Sequence, residues 1–98
     1  SSAGAVLAVW PNPARSLLSI TFAAKQEGAR FRLALYDVTG RFVGEVASGS
    51  AAGTATTVAW EIPRDLKEKA GPGVYFVVME SEGERLERKV LLLGGEVR

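Results

Sequence analysis

Ninety-eight residues, 47% of them apolar and 23% charged, suffice for one packed core but not for two. Twelve basic against eleven acidic residues leave a formal charge of +1, which excludes a global field that would steer the chain onto nucleic acid or an anionic membrane. The absence of both cysteine and histidine excludes disulfides, thiolate and imidazole metal sites, and Cys-His or Ser-His-Asp nucleophiles.

Ser1 to Ala5 reads as a linker remnant. The sequence has no opening methionine, no signal core and no apolar run long enough to span a bilayer, so it is expected to be a piece cut from a longer protein. Val6 to Trp10 is the first strand-type run; it stops at Pro11-Asn12-Pro13, where two prolines fix φ and remove backbone donors. Leu18, Ile20 and Phe22 alternate with Ser19 and Thr21, the pattern of a strand with one buried and one wet face. Phe31, Leu33 and Leu35 repeat it and close on Asp37-Val38-Thr39-Gly40, a tight hairpin turn with Gly40 expected at positive φ.

Arg41 to Ala47 is the expected return strand, followed by a loop of Ser, Ala, Gly and Thr over Ser48 to Thr54. Thr56, Val58 and Trp60 alternate along a fifth strand. Pro63, at a first helical position, and Asp65 to Lys69 predict one turn of helix, ended by Gly71-Pro72-Gly73. Val74 to Met79 is an unbroken apolar run, which suits a central strand covered on both faces. Glu82-Gly83 turns the chain back, and Leu86, Val90 and Leu92 alternate with Glu87 and Lys89; Arg88 breaks the apolar face and marks an edge or a strand end. Seven such runs with regular turn signals predict an all-β, Ig-like antiparallel sandwich in two sheets over residues 6–93, with a tail at 94–98; an open barrel is the second choice.

Pro11-Asn12-Pro13 is first a stiff turn whose Asn bonds nearby backbone, and a rigid surface that a partner could read. Gly40 and Gly73 are read as backbone-conformation residues, Tyr75 as a core residue whose hydroxyl needs a partner, and Trp10 and Trp60 as core packing. Asp37, Glu45, Glu61 and Asp65 show no spacing that selects a catalytic pair, and no Asp-rich calcium loop occurs. No catalytic, cofactor-binding or metal-ligating set is expected, and no cofactor.

Four motifs recur in order: Trp10-Pro11-Asn12-Pro13-Ala14, Leu35-Tyr36-Asp37-Val38-Thr39-Gly40-Arg41, Gly73-Val74-Tyr75-Phe76-Val77 and Arg88-Lys89-Val90-Leu91-Leu92. Together they make the stretch from Val6 to Leu93 resemble the C-terminal sorting domain of the type IX (Por) secretion system of Bacteroidetes-type bacteria, and the related Ig-like domain of flagellar hook-capping proteins. Trp60 is followed by Glu61 and Ile62 in place of the Asp-Gly common in the hook-cap branch, which lowers the weight of that branch. The resemblance implies a non-catalytic label that carries an attached N-terminal cargo through the periplasm and across the outer membrane to the cell surface or medium. It implies the secretion machinery and a sortase-like protease as partners, with a monomeric label that neither inserts in a membrane nor binds nucleic acid. It assigns the shared elements to Pro11, Asn12, Pro13, Gly73, Val74, Tyr75, Lys89 and Val90, with Gly40 and Arg41 in the hairpin motif. An assembly module of the hook-cap kind and an accessory carbohydrate-binding sandwich are the alternatives, the latter requiring exposed aromatics at Trp10, Trp60 and Tyr75.

Overall fold

The computed structural model describes residues 5–94. Seven strands and one helix follow in the order β1 (Val6–Trp10), β2 (Leu17–Ala23), β3 (Arg30–Asp37), β4 (Phe42–Ser50), β5 (Thr56–Glu61), α1 (Arg64–Ala70), β6 (Gly73–Ser81) and β7 (Glu84–Leu92). They form two antiparallel sheets, one ordered β1-β2-β5 and the other β4-β3-β6-β7. The expected seven-stranded sandwich is observed.

Period-two alternation explains why the sheets face each other. Leu18, Ile20 and Phe22 of β2 point one way, opposite Leu33 and Leu35 of β3, Tyr75, Val77 and Met79 of β6, and Val90 and Leu92 of β7, and these side chains form one continuous core. The β6–β7 hairpin turns through Glu82 and Gly83, both at positive φ, which matches the twist of the flanking strands.

Four details differ from the sequence expectation. β4 runs on to Ser50 because Ser48, Gly49 and Ser50 pair with Arg32, Phe31 and Arg30, so backbone pairing overrides a loop-like composition. The helix is two turns long, and Pro63 precedes it in an extended conformation, its carbonyl accepting the first helical bond from Lys67. β6 faces the core on one side only. On its other side Val78, paired with Ala34, is buried among side chains that bridge across the same face, Arg32 to Glu45 and Arg85 to Glu80 and Glu87, while Val74 stays exposed. Trp10 is 45% exposed and not core: Leu7 is the inward residue of β1, so strand parity puts Trp10 on the wet face with Val6 and Ala8. Trp60, on the inward parity of β5, is half-buried against the core as expected.

Candidate functional site

The chain reverses after β1 through Pro11-Asn12-Pro13, and this segment lies along the outer edge of β7. The Asn12 amide Nδ2 donates to Lys89 O at 3.1 Å, and its Oδ1 accepts from Leu91 N at 2.9 Å. Ala14 continues the contact with a parallel bridge to Leu92: Ala14 N donates to Leu91 O at 2.9 Å, and Leu93 N to Ala14 O at 2.8 Å. The Asn side chain therefore imitates a strand backbone, supplying one donor and one acceptor where a neighbouring strand would. Nothing in local propensity announces this strap; its partners lie 77 and 79 residues away.

The other motifs meet at the same end of the sandwich. Tyr75 stands beside Asp37 across β3–β6 and beside Val90 across β6–β7. Its ring is 3% exposed, and its hydroxyl donates to Ala70 O at 2.7 Å and also lies against Gly71 O, fastening the C-terminal end of α1. The core role expected for Tyr75 is observed, and the partner its hydroxyl requires is the helix end. Burial, then the nearby negative Asp37, pushes the Tyr75 phenol above its ordinary value.

Asp37 organises the β3–β4 turn. Its Oδ1 accepts from Thr39 N at 2.9 Å, Thr39 Oγ1 at 2.6 Å and Arg41 N at 2.9 Å, while Arg41 Nε sits 3.6 Å from Oδ2. The Thr39 hydroxyl bond, then the Arg41 backbone bond, holds the carboxyl below its ordinary range. Gly40 has φ of 88°, the left-handed conformation expected of it. Arg41 and Tyr75 line an open cleft of about 520 Å³ between this turn and α1, together with Leu66 and Lys69. Leu66 packs over β4 at Gly44, where an added Cβ would meet its Cδ1 at 2.8 Å.

Pro11, Asn12, Pro13, Gly40, Arg41, Gly73, Val74, Tyr75, Lys89 and Val90 thus gather at one end, with unequal access. Tyr75 and Val90 belong to the core. Arg41, Val74 and Lys89 are exposed, as are the two prolines and Asn12. Sequence reading placed Ala14 and Leu91 in motifs but gave no role to their backbone groups, which complete the strap, and it missed the carbonyls of Ala70 and Gly71 that receive Tyr75. Val74 and Leu91, cross-strand neighbours, form an exposed apolar pair beside Lys89. Lys89 has no ion pair among the described residues. No group of three or more acidic residues able to hold a metal occurs among the described residues, and no described helix is long and apolar enough to cross a membrane.

The chain is thus a two-sheet sandwich whose first turn straps its last strand, with the conformational motifs concentrated at that end. Residues 8–92 match the family model of the secretion system C-terminal sorting domain, and the chain belongs to that family. It is accordingly a C-terminal sorting signal of type IX secretion, which implies export to the cell surface or medium. Among solved structures, dimeric latent PorU from Porphyromonas gingivalis matches with a TM-score of 0.70 and 22% identity, covering 93% of this chain and 9% of that one. This likeness shows the fold, and the chain spans less than a tenth of the length of the protein it matches. No curated protein matches the chain.

Proposed function

We propose that the domain is a folded address label read at its strapped end, carrying an N-terminal cargo to the export machinery and performing no reaction itself. The observation behind this reading is the convergence of motifs from four distant parts of the chain on one end, where Arg41, Val74, Lys89 and Leu91 remain exposed. These four present two cations and two apolar side chains to a partner. The chain lacks the cysteine and histidine that most nucleophilic and general-base chemistry uses. In this reading the label is a monomer over 6–93, and a sortase-like protease separates it from the cargo after export.

The test is export of a reporter fused ahead of the domain in a host with the secretion system. Deleting the last strand would be uninformative, because Val90 and Leu92 are core residues. Charge reversal at exposed positions avoids that: Arg41→Glu with Lys89→Glu is expected to reduce export at least tenfold while the purified domain keeps its melting temperature within a few degrees. Wild-type export by this folded variant would sink the reading. The carbohydrate-binding alternative has lost its platform, since Tyr75 is buried and Trp60 half-buried, leaving Trp10 alone exposed.

A further inference from the structure

β7 is the edge strand of its sheet. Its even-numbered residues turn their backbone groups toward β6, as the two-residue hairpin that pairs Ser81 with Glu84 requires, so the N–H and C=O groups of Arg85, Glu87, Lys89 and Leu91 point outward. Four of these groups are occupied. Lys89 O and Leu91 N are taken by Asn12, Leu91 O by the Ala14 N–H, and Glu87 O accepts from Arg88 Nη1 at 2.7 Å, the guanidinium folding over the edge of its own strand. The N–H groups of Arg85, Glu87 and Lys89 have no partner among the described residues.

The occupied groups are those that an antiparallel copy of β7 would use. Centred on Arg88, two such strands bring Glu87 opposite Lys89 of the second copy, and Arg85 opposite Leu91, with like-facing side chains. Each Glu87 N–H would meet a Lys89 O, each Lys89 N–H a Glu87 O, each Leu91 N–H an Arg85 O and each Arg85 N–H a Leu91 O. In the closed domain every one of these four pairings lacks a free group: Asn12 or Arg88 holds it in the first three, and the Ala14 N–H in the fourth. In this register Glu87 faces Lys89 twice over, against a single like-charge pair of Arg88 opposite Arg88 at its centre. A register centred on Glu87 would instead set Glu87 against Glu87 and Arg85 against Lys89.

We propose that Asn12 and Arg88 are guards on a self-complementary edge: they keep β7 from pairing with β7 of a second copy, and their displacement opens an antiparallel dimer in which Glu87 faces Lys89. Edge strands invite such pairing, and covering them is how sheets avoid it. The guard explains why an exposed asparagine is held in a rigid two-proline turn against a strand at the far end of the chain. It is independent of which surface the export machinery reads.

Sedimentation velocity across a concentration series tests this. The wild type is expected to stay monomeric, and Asn12→Ala with Arg88→Ala to dimerise as concentration rises. Adding Lys89→Glu to that pair of changes should abolish the dimer, and adding Glu87→Lys together with Lys89→Glu should restore it. A folded Asn12→Ala, Arg88→Ala variant that remains monomeric throughout, a dimer indifferent to Lys89→Glu, or a dimeric wild type would each overturn the proposal. Should the double variant not fold, amide exchange of the wild type decides: Leu91 and Leu93 protected with Glu87 and Lys89 exchanging fast supports the guarded edge, and equal protection at all four overturns it.

Discussion

Tyr75 joins three parts of the strapped end through one side chain, its ring in the core and its hydroxyl on the carbonyls that end α1. Tyr75→Phe keeps the ring and removes those bonds, so it is expected to cost about 1 kcal/mol, near the worth of one buried hydrogen bond. For a domain of this size, that is a fall in melting temperature of about 4–8 °C by calorimetry. Because the folded phenol titrates above its ordinary 10.0, its contribution is full below that value and lost as pH rises through the folded pKa; Tyr75→Phe should flatten this alkaline loss. Asp37 has the opposite sign. Its folded carboxyl titrates below 3.8, so its contribution is present above that value and lost as pH falls through the folded pKa. Asp37→Asn should weaken the acid dependence of the unfolding midpoint in a denaturant series, and an unchanged profile would show that the turn does not hold the carboxylate.

At the level of elements, the strap and the helix are what the sandwich adds to its sheets. The alternation of Leu18, Ile20 and Phe22 and of Phe31, Leu33 and Leu35 made the strands legible, because one wet face and one dry face leave a period of two in the sequence. The turn at Gly40 was legible for a steric reason, since glycine adopts positive φ without penalty. The strap was not. Two prolines and an asparagine declare a stiff turn, but the strand they cover lies at the other end of the chain, and no local pattern encodes so distant a pairing. Trp10 was misread because β1 is apolar at both parities, so the sequence does not say whether Leu7 or Val6 faces inward. The length of β4 was hidden in the same way: small residues without alternation carry no period. The docking of α1 gives a direct check, since Gly44→Val places bulk where Leu66 lies. It is expected to destabilise by about 1–3 kcal/mol through overpacking, and Leu66→Ala on the same background should recover part of the loss in chemical denaturation.

For the whole molecule, the consequence is an asymmetric sandwich: one end carries the strap, the Asp37 turn, the helix and the exposed Arg41, Val74, Lys89 and Leu91, while the other presents the loops around Gln26, Thr54 and Glu82. The sorting role was legible in the sequence only as a combination of motifs, since each taken singly is a turn or a strand; what was not legible is that folding brings them to one place. The most direct test of recognition at that place is a photoreactive side chain introduced at single exposed positions of an exported fusion. Probes replacing Val74 or Leu91 should crosslink to components of the secretion machinery during export, and probes replacing Gln26 or Thr54 should not. Crosslinking from Gln26 and Thr54 with none from Val74 and Leu91 would contradict the account.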